Sequence, residues 1–263
     1  MTIAWPELRS DLVAAAGRFA SVVGALDPDE PVRGSDWSVG QTVAHVVTTF
    51  DRWVSMAEGA AFDIGRGPEF ATRMAEINRR EIEAAGRCGA GEETAAAARW
   101  LAVATDPDAS MHLYGLADVD CSFAEASGVL LGELLMHGYD VARSIRAPWP
   151  ITAREAIAVA EGLLPLLPLV YDGSATGGRS FDIDLRLRGR GSGIDFHCEP
   201  SALTISDGSP DRAAVHISAD PAPWLLVGYG RRSQWRAAAT GTVVAWGRKP
   251  WLALRFGRLL VPA

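Results

Sequence analysis

A chain of 263 residues, 48% of them hydrophobic and 22% charged, is long enough for two globular domains and indicates a soluble protein. Its longest strongly apolar run, at residues 163–170, is too short and too broken by proline to span a bilayer, which excludes a transmembrane segment there. Residues 1–150 contain 12 basic and 22 acidic side chains, which argues against nucleic acid as a partner of this part. The remaining 13 basic and 10 acidic side chains leave the second half mildly basic and suited to an anionic ligand.

The first half of the sequence predicts a bundle of helices joined by short connections. Apolar residues recur at every third or fourth position in five segments, and helices are therefore predicted at residues 5–25, 39–57, 69–86, 92–104 and 122–146. Ser38, with Gln41 three residues later, fits a capping box at the start of the second helix. The segment 105–120, which contains His112, is expected to be a loop.

The second half begins after a rigid break, Pro148-Trp149-Pro150, so the predicted domains are residues 1–148 and 151–263. The second domain is predicted to be a small α+β domain with an antiparallel sheet. Alternating apolar and polar residues predict strands near 181–187, 194–198, 203–205 and 215–217. Helices are predicted over 151–170, 221–231 and 242–256. His197 and His216 fit the strand alternation, and we expect them to face solvent or to pack on the sheet.

The helix predicted over residues 122–146 carries side chains suited to a metal ion. Glu133 and His137 lie about 40° apart around this helix, and Asp140 returns to the same line one turn later. The other faces of the helix are apolar, so it is expected to be buried, and a buried carboxylate needs a partner. The pair is either part of a metal site or a core histidine hydrogen-bonded to Glu133. A third ligand from elsewhere would decide between these interpretations.

His45 lies off the apolar stripe of its own helix. It falls about 130° from the centre of the stripe, on a side shared with Thr49 and Arg52. This position argues against a core histidine. Two interpretations stay open, a plain surface histidine and a ligand that faces a site beyond the helix.

The cysteines indicate a reducing compartment. Cys88, Cys121 and Cys198 are widely spaced and odd in number, and no CxxC pair occurs. We therefore expect free thiols, with neither a disulfide framework nor a cysteine zinc site. The first residues lack the basic and apolar segments of a signal peptide, so a cytoplasmic protein is expected.

Three segments of the sequence resemble one family when they are taken together. Residues 37–45 open a helix with Trp-Ser and place a histidine two turns later, residues 133–143 read Glu-Leu-Leu-Met-His-Gly-Tyr-Asp-Val-Ala-Arg, and residues 224–231 read Trp-Leu-Leu-Val-Gly-Tyr-Gly-Arg. These segments resemble the mycothiol-dependent maleylpyruvate isomerase family. The resemblance extends over nearly the whole chain and is strongest in the two helices that carry His45 and Glu133.

The resemblance implies a DinB-like four-helix bundle followed by a domain similar to sterol carrier proteins. It also implies a divalent metal, with zinc favoured, held by His45, Glu133 and His137. Two imidazoles and one carboxylate leave coordination positions open, which is typical of a catalytic zinc site. Asp140 would then orient a ligand or brace the helix, although a packing role is an equal alternative.

The family's chemistry implies mycothiol as a thiol cofactor or co-substrate. A metal-bound thiol loses its proton near neutral pH. The thiolate would add to the cis double bond of a maleylpyruvate-type substrate, permit rotation and leave again, or it would attack another electrophile and stay attached. Arg231 matches the family's arginine at a Gly-Arg helix end and would contact a substrate carboxylate or the thiol, unless it only meets the helix dipole. Arg248, in an additional segment, is a second candidate for binding.

The leading hypothesis is a mycothiol-dependent isomerase or S-transferase that acts on a small molecule. We expect no nucleic acid or membrane partner, and a monomer or a homodimer. The alternative is a non-catalytic carrier that binds an apolar ligand in the second domain, with a structural metal in the bundle, and it requires a sizeable apolar cavity in that domain. A hydrolase that uses a metal-bound water is a third interpretation.

Overall fold

The structure is a computed structural model that describes residues 2–61, 65, 68–113 and 119–260. All the helices predicted in the first half are present, with ends within two residues of the predicted ones: α1 Trp5–Val23, α2 Val39–Ala57, α3 Pro68–Ala85, α4 Glu92–Val103 and α5 Phe123–Ser144. The predicted capping box is confirmed, because the Ser38 side chain accepts from the Gln41 N–H and the Gln41 side chain accepts from the Ser38 N–H.

Helix α5 lies at the centre of the helical region, in contact with α1 and α2. Its apolar residues face neighbours on nearly all sides, as a helix without a continuous polar face requires. The largest side chains of this core are fully buried, namely Phe19, Phe50, Trp100, Leu130, Leu134 and Leu135. Burial of each stabilises the fold by about 1.5–3 kcal/mol, before the entropy cost of ordering the chain is counted.

A short hairpin precedes α5 where a loop was predicted. Strands β1 (Ser110–Leu113) and β2 (Val119–Ser122) pair antiparallel, and residues 114–118 of the predicted loop lie outside the described residues. His112 is a strand residue, and its Nδ1 lies 3.0 Å from Oδ1 of Asp120 on the partner strand. Strands of four residues are too short for their alternation to be recognised in the sequence.

Helix α6 (Ala153–Leu163) follows the proline-rich break and packs closely on α5. A Cβ at Gly128 would lie 2.5 Å from the carbonyl oxygen of Ala158, so the two backbones can approach only because this position is glycine. The opposite face of α6 places Ile157 in the core of the C-terminal sheet. The prolines of the predicted 151–170 helix turn its second part into a 3₁₀ helix, Leu164–Leu169. The domain boundary remains a prediction, since α6 contacts both regions.

The C-terminal region is α+β, as predicted, but its sheet is mixed and not wholly antiparallel. The strands are β3 Phe181–Leu187, β4 Ile194–Cys198, β5 Leu203–Asp207, β6 Val215–Ala219 and β7 Val243–Trp246, in the order β5-β4-β3-β6-β7. β3 and β6 run parallel, whereas the other pairs are antiparallel. The alternation of side chains predicts strands but carries no information on their direction, which explains the error.

The end of the chain also differs from the prediction. In place of an apolar helix at 242–256, the strand β7 is followed by a 3₁₀ helix, Pro250–Arg258. The β-branched pair Val243-Val244 favours the strand, and Gly247, at φ +118°, ends it in a conformation that other residues rarely adopt.

Helices α7 (Pro221–Gly228) and α8 (Gln234–Ala239) lie between β6 and β7. Leu225, Leu226 and Tyr229, from α7 and the residue after it, pack against the core of the helical region. The end of α7 is therefore close to α5. No helix in the described part of the chain combines the length and the apolar character that crossing a membrane requires.

Candidate metal centre

Three side chains from two helices converge within the bundle. His45 projects from α2, and Glu133 and His137 project from consecutive turns of α5. The Nε2 atoms of His45 and His137 lie 3.2 Å and 3.3 Å from the same carboxylate oxygen, Oε2 of Glu133. One possible ligand atom from each side chain lies within 4.8 Å of the other two. The structure thus brings together the three residues that the family resemblance implied as ligands.

The spacing of these atoms fits a divalent cation. In a tetrahedral zinc site with metal–ligand distances of about 2.0–2.1 Å, neighbouring ligand atoms lie about 3.3–3.4 Å apart. A charge-assisted N–H···O bond is shorter, at about 2.7–2.9 Å. The observed 3.2 Å and 3.3 Å separations match the edges of a coordination polyhedron more closely than they match such bonds. The cluster could hold an ion and leave at least one coordination position open.

The protonation states of the cluster also suit a cation. Burial raises the pKa of Glu133, but the hydrogen bonds with His137 and His45 outweigh burial, and the pKa lies well below its ordinary value. Burial lowers the pKa of His45, which favours the neutral imidazole. An ionised carboxylate and a neutral imidazole are the forms that bind a metal.

His45 is not a surface residue, since only 6% of its surface is exposed. The indole ring of Trp37 lies against both imidazoles, with its centroid 4.7 Å from that of His45 and 5.8 Å from that of His137. Arg52, on the same side of α2, is buried by α3 and binds Glu81 there at 2.6 Å. The side of α2 away from its apolar stripe is therefore a second, polar interior, and the surface interpretation of His45 is wrong.

The glycine after His137 allows the chain to fold back onto α5. A Cβ at Gly138 would lie 2.1 Å from Cζ2 of Trp149, which packs directly on the helix at this point. The indole N–H of Trp149 donates to the carbonyl oxygen of Leu135 at 2.9 Å. The proline-flanked Trp149 thus holds the helix that carries two of the three cluster residues.

Asp140 and Arg231 form an ion pair one turn beyond His137. Nη2 of Arg231 lies 2.7 Å from Oδ2 of Asp140, and its Nη1 donates to the carbonyl oxygen of Tyr229 at 2.8 Å. Asp140 is 8% exposed and a quarter of the Arg231 side chain is exposed. Since a guanidinium has five N–H groups, donors remain on its terminal nitrogens for a ligand. The roles of the two residues in binding and catalysis stay predictions.

Tyr229 is a residue at this site that the sequence analysis did not single out. Its hydroxyl oxygen lies 3.4 Å from the position that a Cβ would take at Gly132, the residue before Glu133. Burial raises the pKa of the phenol, and the charge of Glu133 raises it further, so the hydroxyl keeps its proton. The Arg231 guanidinium lies 5.7 Å from the centre of the ring. In the sequence, Tyr229 could have been recognised as a candidate because it lies two residues before Arg231, within the Gly-Tyr-Gly-Arg segment.

Arg248 belongs to a different set of contacts. It follows β7, donates from Nη2 to the carbonyl oxygen of Arg212 at 3.0 Å, and lines a pocket with His216. Its contribution to the binding of a cofactor remains a prediction.

The cysteines are buried and free, as predicted. Burial raises the pKa of the Cys88 thiol to about 11 and that of Cys198 to about 12, and it raises that of Cys121 as well. These thiols stay protonated near neutral pH, so none of them is suited to act as a nucleophile.

Comparisons with known proteins place this site in context. Residues 10–142 match the family described as the mycothiol maleylpyruvate isomerase N-terminal domain. The crystal structure of the mycothiol-dependent maleylpyruvate isomerase is 14% identical over 92% of this chain and 93% of that chain, with a TM-score of 0.46. The sec-alkylsulfatase Pisa1 from Pseudomonas sp. is 14% identical over 83% of this chain but only 32% of that chain, with a TM-score of 0.35. No curated protein matches the sequence significantly.

The protein thus combines a helical region that carries a partly buried cluster of two histidines and one glutamate, a candidate metal centre, with an α+β region that follows it. The match over residues 10–142 includes His45, Glu133 and His137, and it covers half of the chain. The chain belongs to the mycothiol maleylpyruvate isomerase N-terminal domain family.

Proposed function

We propose that the protein is a metal-dependent enzyme that activates a low-molecular-weight thiol, with mycothiol as the thiol and a maleylpyruvate-type compound as the substrate. The single observation that carries the proposal is the convergence of the His45, Glu133 and His137 ligand atoms at the spacing of a coordination polyhedron. Family membership supports the choice of thiol and substrate. Cis–trans isomerisation and transfer of the thiol to another electrophile are both within this proposal.

A bound divalent cation, zinc in the first instance, would lower the pKa of a thiol so that the thiolate is available near neutral pH. His45, Glu133 and His137 would hold that cation, and the two-histidine, one-carboxylate set leaves a position for an exogenous ligand. The indole ring of Trp37 packs against both imidazoles. The chain's own thiols, all buried and protonated, leave the nucleophile to an added thiol.

Arg231 is the group we assign to the substrate carboxylate or to the thiol cofactor. Asp140 and the carbonyl oxygen of Tyr229 hold the guanidinium of Arg231 beside helix α5. Its remaining N–H donors suit a carboxylate. Asp140 therefore acts as a positioning residue in this proposal. The Tyr229 hydroxyl keeps its proton and can donate a hydrogen bond to a ligand next to Glu133.

The carrier alternative has no specific observation in its favour. It requires an apolar cavity in the C-terminal region, and the apolar face of the described sheet is instead packed by side chains of α6 and of the 3₁₀ helix Pro250–Arg258. Leu185, Phe196 and Ile217 on that face are at most 3% exposed.

The test is a kinetic assay of the zinc-loaded protein with mycothiol and maleylpyruvate, and with an electrophile such as an alkyl halide in place of maleylpyruvate. Arg231→Gln should lower kcat/KM about 10- to 100-fold, because a charge-assisted hydrogen bond to the substrate is lost, while the metal content stays unchanged. Arg232→Gln is the matched control and should retain activity. Absence of turnover by the loaded wild-type protein with both electrophiles would contradict the proposal.

A further inference from the structure

The polar face of the C-terminal sheet contains a buried carboxylate that no part of the proposed function uses. Asp184 on β3 is fully buried. Its Oδ2 accepts from Nε of Arg186 at 2.8 Å and from Nδ1 of His216 at 2.7 Å, and its Oδ1 accepts from the Ser209 hydroxyl at 2.9 Å. Each partner donates a hydrogen bond, so both oxygens of the carboxylate are hydrogen-bonded.

This network fixes the orientation and tautomer of His216. Asp184 and His216 are register partners on the parallel strands β3 and β6, and His216 is in turn the register partner of Trp246 on β7. The imidazole stacks on the Trp246 ring, with centroids 5.5 Å apart and planes at 18°. The tautomer that donates from Nδ1 to Asp184 has its lone pair on Nε2, which has no hydrogen-bond partner among the described residues.

The free edge of His216 faces an open pocket of about 450 Å³. Arg212 and Arg248 line it as well, both side chains are exposed, and neither is paired with a carboxylate of the described residues. Asp211 is the one acidic residue in the lining. Gly247 also lines the pocket, and a Cβ there would lie 3.4 Å from Cδ2 of His216.

Two guanidinium groups and a hydrogen-bond acceptor in one pocket define a particular ligand chemistry. The arginines suit an oxyanion, and Nε2 of His216 needs a donor. A phosphate group near neutral pH provides both, since it carries negatively charged oxygens and, in part of the population, a P–OH group. We propose that this pocket binds the phosphate group of a small molecule, separately from the metal centre and irrespective of the proposed function.

The test is isothermal titration of the full-length protein at pH 7 with inorganic phosphate, methyl phosphate and sulfate. Phosphate or its monoester should bind with one site per chain, and the tighter of the two identifies the form of the ligand. Sulfate has the same shape and charge but no proton at this pH, so it should bind at least about tenfold more weakly, because the bond to Nε2 is lost.

The variants locate the binding. Arg248→Gln and Arg212→Gln, both at exposed positions, should each weaken phosphate binding about tenfold or more. Arg236→Gln removes the same charge from an exposed site on α8 and should leave binding unchanged. His45→Ala removes a metal ligand and should also leave it unchanged. Equal binding of phosphate and sulfate, equal binding by the arginine variants and Arg236→Gln, or loss of binding in His45→Ala would each overturn the proposal.

Discussion

Two carboxylates in this protein, the fully buried Asp184 and the partly buried Glu133, are stabilised in different ways. Asp184 in the C-terminal sheet meets a guanidinium, an imidazole and a hydroxyl, so its charge and its hydrogen bonds are satisfied by the protein itself. Glu133 in the bundle meets two imidazoles through one oxygen, at separations longer than charge-assisted hydrogen bonds.

The two sites differ in what balances the charge of the carboxylate. A permanently charged arginine neutralises Asp184, whereas the pKa of His45 is lowered, so His45 favours its neutral form and does not neutralise Glu133. In the proposed function a cation in the bundle supplies a counter-charge for Glu133, whereas Asp184 is already paired with Arg186. The predictions below test this contrast, beginning with the largest expected effect.

Replacing Glu133 should abolish metal binding in the bundle. Glu133→Gln removes the anionic ligand, and we expect the zinc affinity to fall by more than about 100-fold. This loss is larger than the loss of about 10- to 100-fold that follows when a residue that only supports a metal ligand is replaced. Competition with a chromogenic chelator measures this affinity. Glu83→Gln, at an exposed glutamate of α3, is the control and should bind zinc as the wild type does. If Glu133→Gln bound zinc as tightly as the wild type, Glu133 would not be a metal ligand.

Replacing Asp184 should destabilise the fold without affecting the metal. Asp184→Ala leaves the donors of His216, Arg186 and Ser209 without their acceptor, and we expect a loss of about 3 kcal/mol in the free energy of unfolding. Denaturation in urea measures the loss. Asp207→Ala, which removes an exposed partner of Arg190, should cost less than about 1 kcal/mol. If the Asp184 variant lost zinc while retaining its stability, the assignment of a structural role would be wrong.

The packing of helix α5 should depend on the close contact at Gly138. The added methyl group of Gly138→Ala meets Trp149 at 2.1 Å, so we expect a loss of about 1–3 kcal/mol in the free energy of unfolding. Gly17→Ala on α1, where a Cβ meets nothing within 4 Å, should instead stabilise the protein by about 0.5–1 kcal/mol through helix propensity. Thermal unfolding of the two variants gives the comparison, and equal shifts would contradict the packing described for Trp149.

The histidines of the two regions should titrate on opposite sides of 6.5 in the metal-free protein. Burial lowers the pKa of His45, whereas the hydrogen bond with Asp182 raises that of His197. The unfolded chain therefore binds more protons at position 45, and stability from His45 is lost as the pH falls below about 6.5. The contribution of His197 to the free energy of unfolding is present below about pH 6.5 and is lost as the pH rises through its higher pKa in the folded protein.

NMR titration of the imidazole signals, assigned with His45→Gln and His197→Gln, measures both values. A pKa above 6.5 for His45 would contradict the burial described for the bundle.

The sequence predicted the bundle well because its helices are long and strongly periodic. The ends of α2 followed from the Ser38–Gln41 capping box and the spacing of its apolar residues. The cluster of His45, Glu133 and His137 could be predicted from the family resemblance, whereas periodicity alone left His45 between a surface residue and a ligand. His45 packs against Trp37 and against Glu133 and His137 of α5, and these contacts are not visible in the pattern of its own helix.

The C-terminal region was harder to predict because its important features depend on neighbours distant in sequence. Alternation placed His216 on a strand, but the burial of Asp184 beside it depends on the register of two parallel strands and on Ser209. The same alternation was compatible with either strand direction. Tyr229 was missed because nothing in the local sequence pattern indicates its neighbours, and only the packing of α7 on the bundle places it near Glu133.

The central claim is most directly tested by metal analysis of the purified wild-type protein and of His45→Ala, both after incubation with zinc and removal of unbound metal. We expect about one zinc ion per wild-type chain and a large loss in the variant, whose circular dichroism spectrum should remain helical. Wild-type protein that retains no zinc, or a His45→Ala variant that retains as much as the wild type, would contradict it.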